Sequence, residues 1–217
     1  MSTTTDRSPT PGKRKRALQK RAEETRDQLL AAASDLFATY GYEGASVRMI
    51  ETEAGVQRGL VAYHFNTKDA LWRQVVDDVF ARMADHFGAS EAMIRDLPQE
   101  QRMRVFIATF VRFSAEVPEL NRLMVQEGKT KSWRMDYIVE THVSKLLTRL
   151  EDMLGVSISP HAYYIMVGSM SFVFSVSHEC QKLFDVDPMT DKFIAEHARL
   201  VADMLDAANR QSESRDP

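Results

Sequence analysis

The stretch "GASVRMIETEAGVQRGLVAYHFNTK", Gly44–Lys68, holds two short helical periods with a glycine between them. Ser46 is a good N-cap, because its hydroxyl can accept an otherwise unpaired first-turn N–H, and the helix it opens runs to about Ala54 with Val47, Ile50 and Ala54 on its buried face. Gly55 breaks that helix, and a second begins around Gln57 or Arg58, with Val61 and Phe65 four residues apart on the side facing the core. Upstream, Leu29, Leu30, Ala33, Leu36, Phe37 and Tyr40 form the stripe of a longer helix that stops at Gly41, a residue able to take the left-handed conformation a helix end needs. Two short helices joined by a tight glycine turn and preceded by a longer one outline a helix-turn-helix unit.

With Val61 and Phe65 assigned to the core, Gln57, Arg58, Tyr63 and His64 fall largely on the other sides of the second short helix. Gln and Arg at its start suit base edges, and a phenol and an imidazole further along suit phosphate oxygens. Lys68 opens the next helix and adds a cation beside free N–H groups, where an anion is favoured. The plainer alternative is that Tyr63 and His64 cover apolar surface and hydrogen-bond locally.

The remaining composition is that of a globular protein, 44% hydrophobic and 27% charged over 217 residues, which argues against disordered and fibrous classes. A lone cysteine, Cys180, cannot form an internal disulfide, and no apolar leader with a cleavage site opens the chain, so a cytoplasmic protein is expected. The nearly apolar run 162–176 is short for a bilayer and interrupted by Gly168 and serines; it reads as a buried helix, with no membrane partner. The net charge of −3 hides a polarised distribution: +6 over residues 1–21 and −9 over the rest. That basic end is either a solvated tail or an arm that follows phosphates.

Apolar residues recur at three and four, so the chain is expected to be all-α, with about nine helices. The expected organisation is a flexible basic arm at 1–21, a three-helix DNA-binding unit at 22–67, a larger helical domain at 68–206 and a flexible tail at 207–217. In the larger domain, helices are expected at 68–87, 102–116, 118–128 and from the Ser132 cap to about Leu154. Ser159-Pro160 starts a helix that is apolar nearly all round, and Asp187-Pro188 with Thr190 opens the last helix, striped by Phe193, Ile194, His197, Leu200, Val201, Met204 and Leu205. Two such helices from each of two chains would close a four-helix bundle, so a homodimer through the last two long helices is expected.

Residues 25–79 resemble the DNA-binding domain of the TetR family of bacterial transcriptional regulators, on the ordered set "AASDLFATYGYEGASVRMI", "EAGVQRG" and "YHFNTKDALW". The resemblance implies that Gln57, Arg58, Gly59 and Leu60 face the major groove of a double-stranded operator. It further implies that Tyr63, His64 and Lys68 grip the backbone, with Ser46 and Arg48 close to phosphates. Two positions depart from the family pattern: Glu51 stands where a small Ala facing the second short helix is usual, and Ala62 stands where a Tyr is usual.

The resemblance also implies dimers on palindromic or nearly palindromic operators and a small-molecule effector, bound in the larger domain, that releases the DNA. Candidate lining residues are Phe106, Phe110, Phe113, Met124, Trp133, Tyr137, His142, Tyr163, Met166, Met170 and Phe174, each of which could equally be plain core. The function expected is a sequence-specific repressor; the alternative is a helical protein-interaction module with non-specific DNA affinity. No enzyme, cofactor or metal site is expected: Cys180 and His178 point apart on one helix, and no HExxH motif, paired Cys or Gly-rich phosphate loop occurs.

Overall fold

The structure, a computed structural model, describes residues 11–213 and divides into two units at Val75–Val76. Among the described residues all regular structure is helical, and no helix is long and apolar enough to cross a membrane.

The first unit holds α1 (Pro11–Gly44), α2 (Val47–Glu53), α3 (Leu60–Phe65) and the start of α4 (Lys68–Asp96). Of the predicted stripes, Leu29, Ala33 and Phe37 of α1, Ile50 of α2 and Val61 and Phe65 of α3 are buried, whereas Leu30 and Leu36 are half-buried and Tyr40 is exposed; Ala32, Ala38 and Ala45 are buried in addition. Each of the larger buried side chains contributes about 1.5–3 kcal/mol on removal from water, which offsets the low intrinsic stability of helices as short as α2 and α3. Gly41 does interrupt α1, at φ 71 and ψ 173. Leu71, Trp72 and Val75 are buried too, and the unit boundary falls inside α4 instead of at its first residue.

Three expectations change. The flexible arm expected over 1–21 is helical from Pro11, and residues 1–10 lie outside those described. Beyond Gly12 this segment consists of strong helix formers, and Gln19–Glu23 and Lys20–Glu24 pair one turn apart. At the other end the last helix continues to Glu213 through the predicted tail, leaving residues 214–217 outside the described part. Finally, the second short helix starts at Leu60, not at Gln57 or Arg58, because Gly59 takes φ 89 and so cannot belong to a right-handed turn.

The second unit contains the rest of α4, then α5 (Gln99–Glu116), α6 (Pro118–Glu127), α7 (Trp133–Ile138), a π-helical turn Val139–Val143, α8 (Ser144–Leu154), α9 (Pro160–Ser175), α10 (Ser177–Phe184) and α11 (Asp191–Glu213). Helix α5 is central, packing on α6, α8, α9 and α11. The core joins Ile94 of α4, Phe106, Ile107 and Val111 of α5, Met153 and Leu154 of α8, Met166, Met170 and Phe174 of α9, and Ile194, Ala198 and Val201 of α11. Ser159 caps α9 by accepting from the Ala162 N–H at 3.2 Å, with Pro160 in the first turn, and Gly155 ends α8 at φ 70. Helix α9 does not bury its whole circumference: Met166, Met170 and Phe174 face the core, while Tyr164 and Phe172 are 74% and 60% exposed.

Candidate nucleic-acid interface

The interface candidates are held by backbone geometry that the sequence dictates locally. Ser46 is extended at φ −81 and ψ 151 and accepts from the Met49 N–H at 3.2 Å, so its hydroxyl serves α2 as a cap, with Arg48 exposed on that helix. Gly55 at φ 65 turns the chain after α2, its N–H donating to the Thr52 carbonyl at 3.1 Å. Gln57 and Arg58 ride in the turn, both exposed, and Gly59 brings the chain into α3. Leu60 is half-buried.

On α3 the division of faces is sharp. Val61 and Phe65 are buried, whereas Tyr63 is 75% exposed, its ring edge-on to His64 with centroids 4.9 Å apart. The Arg26 guanidinium of α1 lies 5.4 Å from the centre of the Phe65 ring, which fixes the inner face. Asn66 leaves the helix at φ 64 and ψ −51, and Thr67 then caps α4 by accepting from the Ala70 N–H at 3.0 Å. Lys68 is tied inward: its ammonium donates to the Tyr42 carbonyl and stands 4.1 Å from the centre of the Tyr42 ring. Ser46, Arg48, Gln57, Arg58, Tyr63, His64 and Lys68 thus all belong to one unit, with Ser46 and Lys68 also serving its fold.

Sequence reasoning marked Glu51 as a departure from the family pattern but missed its role. Its side chain is only 5% exposed, and its Oε1 accepts from the Gly59 N–H at 2.9 Å and the Val61 N–H at 3.1 Å. The available signal was a carboxylate on the α2 face turned toward α3, beside a Gly59 whose lack of a side chain leaves the next helix uncapped.

Comparison with known proteins decides the family. The sequence profile for bacterial regulatory proteins of the tetR family matches residues 29–75. The HTH-type transcriptional repressor AcnR of Corynebacterium jeikeium is 31% identical over 153 residues, covering 61% of this chain and 80% of that protein. The chain belongs to the TetR family. AcnR of Corynebacterium efficiens is 39% identical over 61 residues, covering 28% of this chain and 32% of that protein, so the chain spans about a third of its length. The transcriptional regulator FadR from Bacillus subtilis, solved in complex with stearoyl-CoA, superposes with a TM-score of 0.59 at 15% identity over 82% of this chain and 96% of that one, a likeness of fold alone. As a TetR-family member this protein is a DNA-binding transcriptional regulator and not an enzyme.

In the TetR-family second unit, the candidate ligand residues are scattered. Phe106, Met166, Met170 and Phe174 are buried in the core with Phe110 packed against it, and Phe113 is buried beside the Phe87 ring, 6.2 Å away. Tyr163 is half-buried, and burial pushes its phenol above the ordinary tyrosine value. Tyr137 and His142 meet on the Asp77 carboxylate. Met124 is half-buried on α6, and Trp133 begins α7 with the Arg134 guanidinium 5.8 Å from its ring centre. A groove of about 330 Å³ runs instead between α5 and α11, lined by Arg104, Ala108, Arg112, Ile194, Ala195, Ala198, Arg199 and Ala202. Arg104 and Arg199 are engaged by Asp203 at its rim, and the Arg104 guanidinium holds the Asp203 carboxyl below the usual carboxylate range.

Proposed function

We propose that this regulator is a homodimeric repressor that reads a palindromic or nearly palindromic operator through α2 and α3 and is released by a small-molecule effector. The observation that carries the reading is the division of faces around α3: Val61 and Phe65 anchor the helix, while Tyr63 on it and Gln57 and Arg58 in the turn before it stand exposed. Arg58 and Gln57 supply base-edge donors; Tyr63, His64, Arg48 and the α2 end at Ser46 supply phosphate contacts, and Gly59 lets the backbone approach closely. Exposed Lys15, Arg16, Lys20 and Arg21 on the α1 extension add charge for phosphates.

Dimerisation is supported by the apolar surface left open on the last two long helices: Tyr164, Ile165 and Phe172 on α9, and Leu200 and Met204 on α11. The repressor role comes by analogy with AcnR. For the effector, support is confined to an aromatic cluster at the core of the second unit, where the ring centroids of Phe87, Phe106 and Phe110 lie 5.7–6.1 Å apart. Action in the cytoplasm follows from the proposed target.

The test is selection of bound duplexes from a random DNA pool with the purified protein at two salt concentrations. A palindromic motif recovered at both supports dimeric base readout. Enrichment without a motif, vanishing at the higher salt, would favour binding to phosphates alone.

A further inference from the structure

We propose that Glu51 is the positioning residue for base readout: one side chain and one main-chain carbonyl clamp both ends of the turn that carries Gln57 and Arg58. This inference rests on the base-reading role proposed for α3. The turn leaves α2 through Val56, whose N–H donates to the Glu51 main-chain carbonyl at 3.1 Å. It re-enters at Gly59 and Val61, whose N–H groups donate to the Glu51 carboxylate at 2.9 and 3.1 Å.

The arrangement answers a local need. An α-helix begins with N–H groups that have no partner within it, and an N-cap side chain usually satisfies one. The N-cap of α3 is Gly59, which has no side chain and makes no cap hydrogen bond of its own. Helix α3 is six residues long and too short to persist by propensity. A carboxylate serves it better than a hydroxyl, because hydrogen bonds to an ionised acceptor are about twice as strong as neutral ones and a negative charge complements the helix N-terminus. Burial of Glu51 keeps water from competing for those donors.

Gln57 and Arg58 have no anchor in α3 itself, since both precede it. Their position over a base pair is therefore inherited from the clamp. Release of Gly59 and Val61 would free the turn and loosen α3, while Arg48 on α2, Lys68 on α4 and the cations of α1 keep their places, so discrimination should fall further than affinity for DNA in general.

The experiment compares the full-length wild type with Glu51→Ala and Glu51→Gln in three measurements: amide exchange at Gly59 and Val61 by NMR, thermal unfolding, and the affinity ratio between the selected operator and a random duplex of equal length. In Glu51→Ala the two amides exchange faster, random-duplex affinity stays within about twofold, and the ratio falls about tenfold or more, as expected for a lost charge-assisted hydrogen bond. Glu51→Gln, which keeps an accepting oxygen, restores a large part of the ratio. An unchanged ratio in Glu51→Ala overturns the proposal, as does a parallel loss of folding and of both affinities in the two variants. A wild type that selects no motif overturns base reading and with it the specificity role. The exchange rates then decide the clamp separately: unchanged protection at Gly59 and Val61 in Glu51→Ala removes it, and faster exchange confined to those amides upholds it.

Discussion

His142 donates from Nε2 to Asp77 Oδ1 across 2.8 Å, and the same oxygen accepts from the Tyr137 hydroxyl at 2.7 Å. The His142 ring also stacks on Phe80, with centroids 4.5 Å apart and planes 7° from parallel. The π-helical turn Val139–Val143 carries the histidine, and its wider winding changes the angular position of α8 relative to α7. Because Asp77 is only partly buried, Asp77→Ala should cost about 1 kcal/mol. His142→Ala loses the stacking as well and should cost about 1–2 kcal/mol. Urea denaturation of both variants checks the order; equal costs would mean that the Phe80 stacking is worth no more than the Tyr137 hydrogen bond, which only Asp77→Ala removes.

Acid should weaken the second unit through Glu91. Its carboxylate accepts from Arg149 Nε at 2.7 Å and from Arg95 at 2.9 and 3.2 Å, and the Arg149 hydrogen bond holds its pKa below the ordinary glutamate value. A depressed folded-state pKa contributes stability above the unfolded-state value, near 4.3, and that contribution disappears as pH falls through the folded-state value. The unfolding free energy of wild type over Glu91→Gln should therefore be constant at neutral pH, up to about 1 kcal/mol, and shrink on acidification below about pH 4. A gap that widens on acidification would reverse the assignment.

Much of this was legible in the sequence because the helix signals were local. Ser46, Ser159 and Gly155 act at the caps and stops their types suggested, and Val61 and Phe65 are buried as their spacing required. What escaped was set by contacts between one element and another. The π-helical turn answers to Asp77 far upstream, and Glu51 looks like a poor core residue until the N–H groups of Gly59 and Val61 are placed against it. The apolar composition of α9 exceeded one-sided burial, but which side chains stay exposed depended on where α5 and α11 pack. For the effector, aromatic and methionine residues at helical spacing serve a core or a pocket equally well, so spacing could not separate the two.

Arg58 and Lys68 should fail differently. Arg58 is exposed in the turn before α3, so Arg58→Ala should keep the fold and cost about 1–3 kcal/mol of operator affinity with relaxed preference at one base pair. Lys68 contacts Tyr42 through its ammonium, so Lys68→Ala should lower the unfolding midpoint of the protein and weaken binding to all duplexes alike. Competition titrations with the selected operator and single-base variants separate the patterns. Uniform weakening by Arg58→Ala would place that side chain on a phosphate.

The dimer prediction turns on one stripe. Tyr164, Ile165, Gly168 and Phe172 are exposed on α9 at spacings of one, three and four residues, which lays them along one side of the helix, and a Cβ added at Gly168 would meet nothing within 4 Å. Leu200 and Met204 repeat the pattern four residues apart on α11. Side chains of this size exposed in rows would each recover about 1.5–3 kcal/mol if fully buried by a second copy. Phe172→Glu puts a charge into that contact, where removal from water is costly, whereas Val125→Glu introduces the same charge at an exposed position on α6. Sedimentation equilibrium should give a dimer for wild type and Val125→Glu and a monomer for Phe172→Glu. Operator affinity should drop steeply in the monomer, because each half-site would then be bound without the other. A dimeric Phe172→Glu would move the interface away from this face of α9.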